Sequence, residues 1–405
     1  MRFRALALLL VLSSPALAQD STVTLWTREV VKSSKLNEDR VIYVATPDGY
    51  RAGTGQYSVL VLLDGEDKAQ FNLAVANVAF LANRGAIPPM IVVGVTNGSD
   101  RTRDLTPATT GASAKNFPTA GGAGRFADFL VDELVPFVRS KYRTRPAFIL
   151  AGHSFGGLLA LEVASKRPGA FAGVIAMSPS LWWRDSSLVA SYADAIAATT
   201  KTQRMFVTSG GLEGDIDRPT QRFSKLLDSL KPAHTAFGHQ RYPEDSHNMT
   251  PAPSLVDGLR FIYEPVSVAK LPISMLGPDT DSAAAINAYI ESKRRYAIGA
   301  RSLGLDERFP EMDTNQMGYG ALQFLKNPAL AVWFFRQNVD LYPESANVYD
   351  SLGDGLLAMG DTTAATTQFR RAVEVARRTG HGVFQESQRK LKALEASRAE
   401  KSRGH

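Results

Sequence analysis

The stretch Ala147-Phe-Ile-Leu-Ala-Gly-His-Ser-Phe-Gly-Gly157 holds the residue types and spacing that could carry covalent chemistry. Gly152-x-Ser154-x-Gly156 follows an apolar run that reads as a strand, and it precedes a helical pattern of Leu158, Leu159, Leu161 and Val163. Strand, glycine-flanked bend and helix form the setting of a nucleophile elbow, in which a serine hydroxyl is lifted above the strand end. The Phe155 amide then points into the same space and can help to hold an oxyanion. A serine is a weak nucleophile at neutral pH, so a base must take its proton and an acid must orient that base.

Six histidines are available for the base. His153 lies inside the bend, where strand alternation directs its side chain away from that of Ser154. His405 is terminal and His381 belongs to the helical end of the chain, while His234 precedes the last predicted strand and His239 lies within it. His247, in Pro243-Glu-Asp-Ser-His-Asn-Met249, follows that strand and precedes the closing helix, which is where the order nucleophile, acid, base puts the imidazole. For the acid, the strand Met205–Thr208 runs into a loop bearing Glu213, Asp215 and Asp217. Glu213 is nearest the strand end and has the longest reach; Asp215 is the alternative, and capping of the next helix is the structural use of all three. The amide of Gly65 or Glu66, in Leu62-Leu-Asp-Gly-Glu66, is the candidate second oxyanion donor. Trp182 and Trp183 are candidate walls of an acyl pocket. No HExxH, phosphate loop or calcium loop is present, so no metal or other cofactor is implied.

These groups need a scaffold. Apolar runs at Val41–Ala45, Ser58–Leu63, Met90–Val95, Ala147–Leu150, Gly173–Met177 and Met205–Thr208, with a weaker one at Ala236–Tyr242, read as strands. Helical patterns at Arg125–Tyr142, Leu158–Lys166, Gln221–Leu230 and Ser254–Tyr263 alternate with them. That alternation implies an α/β fold with a mostly parallel sheet and helices on both faces, its ligands at the carboxyl ends of the strands.

After Tyr263 the pattern changes. Residues 266–280 read as a linker, and residues 281–405 as an all-α domain. Tyr349, Leu352, Gly353, Leu356, Ala365, Phe369 and Ala372 match tetratricopeptide spacing, and stepping back 34 positions gives Leu322, Ala331, Phe335 and Pro343. Helices starting near Asp281 and Gln385 are expected to cap the repeats, and this tail is the place for a protein partner.

The chain has 405 residues, 44% hydrophobic and 21% charged, which suggests two domains and excludes wholesale disorder. Residues 1–18 read as a secretory signal: Arg2 and Arg4, an apolar run from Ala5 to Leu12, and Ala16-Leu17-Ala18 before Gln19. The expectation is a periplasmic or secreted protein with the hydrolytic domain at 19–265 and no membrane insertion. The absence of cysteine suits an oxidising compartment. The formal charge of +6 falls to +4 without the signal, too mild and scattered for nucleic-acid binding.

Residues 33–265 resemble the esterase family of α/β-hydrolases that includes enterobactin-type siderophore esterases, feruloyl esterases and S-formylglutathione hydrolases. Five stretches carry the resemblance. They are Ser58–Gly65, Arg101-x-x-Asp104-Leu-Thr-Pro107, Phe126-x-x-Phe129-Leu-x-x-Glu133-Leu-x-Pro136, Gly152–Gly157 and Ser178-Pro-Ser-Leu-Trp-Trp183. The resemblance implies hydrolysis of a small-molecule ester with Ser154 as nucleophile, His247 as base and an acid at the Glu213 position. The expectation is a serine carboxylic ester hydrolase working through an acyl-enzyme. A ferric catecholate siderophore is the specific substrate alternative, and a non-catalytic adaptor acting through the tail is the rival of another class.

Overall fold

A computed structural model describes residues 24–50, 55–275, 277, 280–380 and 384–403, so the segment read as a signal, 1–18, lies outside the described residues. The centre of the molecule follows from strands that are apolar at nearly every position. Such strands cannot present a wet face, so both sides must be covered. In Tyr57–Leu63, Val59, Val61 and Leu63 enter one core while Leu60 and Leu62 enter the other.

The sheet among the described residues has eight strands: β1 (Thr27–Ser33), β2 (Glu38–Ala45), β3 (Tyr57–Leu63), β4 (Met90–Val95), β5 (Thr144–His153), β6 (Gly173–Met177), β7 (Gln203–Gly210) and β8 (Thr235–Tyr242). Their order is β1-β2-β4-β3-β5-β6-β7-β8. The β1–β2 and β2–β4 pairs are antiparallel and all others parallel. Helices 68–82 and 251–262 cover one face. The other is covered by 155–166, 188–197, 217–230 and a long helical run from Ala123 to Lys141, interrupted by a π-helical turn at Leu130–Leu134. This is an α/β-hydrolase fold, and no helix among the described residues is long and apolar enough to cross a membrane.

Six helices follow: Ser282–Ser302, Glu311–Gln323, Pro328–Leu341, Ala346–Ala358, Thr362–Thr379 and Phe384–Arg403. They do not hang from the sheet domain. Leu60, Leu62, Phe71 and Leu259 lie in one continuous core with Tyr289, Phe335 and Phe369. The 34-residue spacing places Ala331 and Ala365, and Phe335 and Phe369, at equivalent buried positions. The Phe335 ring fills the space beside Gly318, and the Phe369 ring the space beside Gly353.

The connecting stretch expected from 266 to 280 is packed over its first part. Three 3-10 turns, Glu264–Val266, Val268–Lys270 and Pro272–Met275, bury Val266, Val268, Leu271 and Ile273. The Ser292 hydroxyl accepts from the Ile273 amide at 3.1 Å, and Gly299 lies against the backbone of Pro265. A Cβ on Gly299 would stand 1.9 Å from the Pro265 carbonyl oxygen, whereas one on Gly320 would meet nothing within 4 Å. Gly299→Ala should therefore cost about 1–3 kcal/mol by overpacking, and Gly320→Ala should gain about 0.4–1 kcal/mol by limiting the unfolded chain. Thermal denaturation of the two variants checks this: their melting temperatures should move in opposite directions.

Candidate active site

At the carboxyl end of β5 the chain passes from strand to helix within one residue. Ser154 takes φ +59° and ψ −116° there, a backbone conformation that side chains disfavour. The bend closes so tightly that a Cβ on Gly152 would sit 2.3 Å from the Gly156 carbonyl oxygen. Helix 155–166 begins at once, leaving the Phe155 amide without an acceptor among the described residues. The Ser154 hydroxyl is 3.2 Å from that of Ser180, which is its hydrogen-bond partner in this resting arrangement. Ser180 is buried, and its amide donates to the Ser154 carbonyl at 3.1 Å.

His247 lies in the loop between β8 and helix 251–262. Its Nδ1 is 3.0 Å from Glu213 Oε1. The Glu213 side chain is fully buried, whereas Asp215 is exposed and Asp217 is engaged by the Ser209 hydroxyl at 2.7 Å and by Arg241 at 3.0 Å. Burial alone would raise the Glu213 carboxyl's pKa. Hydrogen bonds from His247, Ser178 and the Gly210 amide outweigh it and hold the group below the usual carboxylate range. The Gly210 amide reaches Oε2 at 2.9 Å. The structure thus brings Glu213 and His247 together on the loops after β7 and β8, and sets them beside the elbow.

Two sequence-based assignments are corrected. The Gly65 amide is not a free oxyanion donor: it continues the β3–β4 ladder by one bond, donating to the Val95 carbonyl at 2.8 Å. The Glu66 amide has no acceptor among the described residues and is the donor left in that loop. Trp183 lies in the core rather than on the wall of the cavity that Trp182 reaches. It is fully buried, with Nε1 donating to the Pro107 carbonyl at 3.1 Å. Trp182 alone reaches a cavity of about 940 Å³, whose walls include Leu212, Arg218, Pro219 and Arg222. That cavity touches Glu213 but not Ser154 or His247. It is a side chamber open to solvent, and Trp182 on its wall packs against Phe155 of the elbow with ring centroids 6.0 Å apart.

Three features escaped the sequence reading. The first is Ser180. The second is a polar clamp: Asp64, itself at φ +59°, receives Arg101 Nε at 2.6 Å and Nη2 at 2.9 Å, and Asn97 Nδ2 at 2.5 Å. Arg101 Nη2 also reaches the His153 carbonyl at 3.3 Å, tying the Asp64–Glu66 turn to the elbow. Its signals were the Arg101-x-x-Asp104 motif and the Ser58–Gly65 stretch, which carries Asp64. The third is His153. Its side chain does leave the strand away from that of Ser154, but the 243–250 loop wraps to that side. Its ring centroid is 4.3 Å from that of His247, and its Nε2 is 2.9 Å from the His247 carbonyl oxygen.

Burial, followed by the proximity of His247, pushes the His153 imidazole down to about 4 from an ordinary 6.5, against the pull of the Asp64 carboxylate. Between those two values the unfolded chain takes up a proton that the folded protein refuses. The stability owed to a neutral His153 is therefore complete above 6.5 and lost as pH falls toward 4. Melting curves across that window should show the wild type losing more thermal stability on acidification than His153→Gln.

Residues 33–237 match the family described as "Putative esterase". Among curated relatives, the ferri-bacillibactin esterase BesA of Bacillus subtilis is 29% identical over 206 residues, 46% of this chain and 70% of its own length. The siderophore triacetylfusarinine C esterase of Aspergillus fumigatus is 40% identical over 138 residues, 32% of this chain and 44% of its own. Across the curated relatives that the chain matches, the matched share of their own length runs from 33% to 70%. Among solved structures, an IroE-like serine hydrolase from Shewanella oneidensis aligns with a TM-score of 0.65 at 25% identity, covering 78% of this chain and 99% of that one.

Proposed function

The chain belongs to this esterase family of the α/β-hydrolase type, and from that premise we propose that it is a serine carboxylic ester hydrolase whose catalytic triad is Ser154, His247 and Glu213. The observation that carries the reading is the 3.0 Å bond from His247 Nδ1 to a fully buried, ionised Glu213, set beside a strained serine at the strand ends. Glu213 fixes the imidazole with its proton on Nδ1, which leaves Nε2 free to accept. The Ser154 hydroxyl turns from Ser180 toward Nε2, gives up its proton and attacks the ester carbonyl. The Phe155 and Glu66 amides receive the developing oxyanion, which a preorganised pair of donors stabilises more than water would. The protonated imidazole passes its proton to the leaving alkoxide. His247 then takes a proton from a water that attacks the acyl carbonyl, and returns it to the Ser154 oxygen as the acyl–oxygen bond breaks and the acid leaves.

Ser154→Ala should abolish turnover of a short p-nitrophenyl ester while the melting temperature stays near that of the wild type. Glu213→Gln should lower kcat by about 10²–10⁴-fold, the range expected when an imidazole loses its orienting charge. Asp215→Asn should stay within about threefold. Equal losses at 213 and 215 would remove Glu213 from the assignment.

For the substrate, we favour an iron-loaded siderophore ester, the class toward which the names of the siderophore-esterase relatives point, and among these a catecholate, on the lining of the chamber. Arg218 and Arg222 lie one helical turn apart on helix 217–230 and line the chamber with the Trp182 ring. Two guanidinium groups and an aromatic face, set beside the carboxylates of Glu213 and Asp215 on the same wall, can grip the anionic and aromatic parts of a bulky ferric complex. Replacing both arginines by Ala should raise KM for a ferric tris-catechol trilactone by about tenfold or more, and far less for neutral methyl ferulate. An equal effect on both esters would sink the assignment.

We assign residues 1–18 as an export signal, which places the mature enzyme in the periplasm or outside the cell. We also assign residues 281–405 as a tetratricopeptide-like helical domain. Its shared core with the sheet supports a structural part in the esterase, and a protein partner would have to bind its outer surface.

A further inference from the structure

The candidate catalytic groups lie on two separately anchored units. One is the elbow, with Ser154 held by its amide bond to the Met177 carbonyl at 3.0 Å. The other is the pair of loops after β7 and β8. These are stitched to each other by Gly211 N to Tyr242 O at 2.7 Å, Leu212 N to Asp245 O at 3.1 Å and the Glu213–His247 bond. Acid and base therefore move together, and the distance that matters for proton transfer is the one between the units. The Ser178 hydroxyl, next to the Met177 carbonyl that anchors Ser154, reaches Thr250 at 2.8 Å. Among the described residues the elbow itself makes one direct hydrogen bond to these loops, from the His153 ring to the His247 carbonyl.

We propose that His153 is a positioning residue that registers the base loop on the nucleophile elbow through this bond. The proposal rests on the Ser154–His247 reading above. A carbonyl oxygen can only accept, so His153 carries its proton on Nε2 and leaves Nδ1 bare. The His247 carbonyl also accepts from the Thr250 hydroxyl at 3.0 Å, so its peptide is pinned from the elbow side and from its own helix. The two imidazoles lie ring against ring at a centroid distance of 4.3 Å, and a second positive charge there would oppose the imidazolium that His247 becomes in mid-reaction. His153 is kept neutral by burial and, after it, by that neighbour. Asp64 and Arg101 are the other charged groups acting on it, with opposing signs that partly cancel because the two are themselves paired at 2.6 Å. A neutral donor that steers the base without competing for its proton is what this position requires.

The test compares three forms of the full chain by p-nitrophenyl acetate turnover and by the rate of fluorophosphonate labelling at Ser154. His153→Phe keeps a ring and loses the donor. His153→Gln keeps an N–H donor of similar reach and loses the ring. The Phe variant should lose about tenfold or more in kcat with KM within about twofold, and label correspondingly slowly, since small misplacements of a reacting group carry penalties of this order. The Gln variant should recover to within about threefold of the wild type. Thermal melting verifies that each is folded. If the Phe protein does not fold, His153→Asn, whose shorter amide cannot span the gap, takes its place with the same thresholds. Wild-type rates in the Phe or Asn variant, or a folded Gln variant as slow as either, overturn the positioning role while the hydrolase reading stands. A wild type that neither turns over ester nor labels at Ser154 overturns the hydrolase reading, and this inference with it.

Discussion

The bend at Ser154 governs the arrangement of everything around it. A chain leaving a parallel strand must enter the covering helix without a loop, and it does so by placing one residue at φ +59° between glycines that let backbone meet backbone. Because a left-handed residue carrying a side chain is disfavoured by roughly 1–3 kcal/mol, the conformation persists only where surrounding packing imposes it. Here β5 is buried on both faces and helix 155–166 is buried along most of its length. One constraint thus delivers three consequences: a projecting hydroxyl, a free helix-terminal amide, and a His153 ring turned toward the neighbouring loop.

Charge is the second organising principle. Two ionisable groups at the strand ends, Glu213 and His153, are each held in one state by their surroundings, and Asp64 beside them is tied down by hydrogen-bond partners. Glu213 stays ionised because donors surround it, Asp64 is met by Arg101 and Asn97, and His153 stays neutral because it is buried next to another imidazole. The Arg101–Asp64 pair is partly open to solvent. Its worth is therefore geometric, tying the Asp64–Glu66 turn to the elbow, since exposed ion pairs add little to stability.

The helical end of the chain has a place in this scheme. Tyr289, Phe335 and Phe369 continue the core that begins on the sheet, and the 264–275 turns are wedged between the two. A sheet covered on both faces holds its carboxyl-end loops in fixed register. The tail supports that register from below, through helices 68–82 and 251–262 and the turns that follow them.

Much of this was legible in the residues alone. Met90–Val95 and Gly173–Met177 match their apolar runs end to end, because a strand buried on both faces has no polar position to blur its limits. The strand Thr27–Ser33 escaped detection: it is an edge strand whose Thr27, Arg28, Val30 and Lys32 are exposed, so its pattern resembles a loop. Helix 68–82 was hidden for the opposite reason, being too uniformly apolar to show one face. Ser154, His247 and Glu213 could be chosen from chain order, since a motif and its flanking elements encode the order of parts along the polymer. Gly65, Trp183 and His153 could not be placed that way. Whether an amide is already spent in a ladder, whether an indole points inward, and which loop wraps over a neighbouring side chain depend on contacts between segments distant in sequence. Such contacts exist only once the chain has closed on itself.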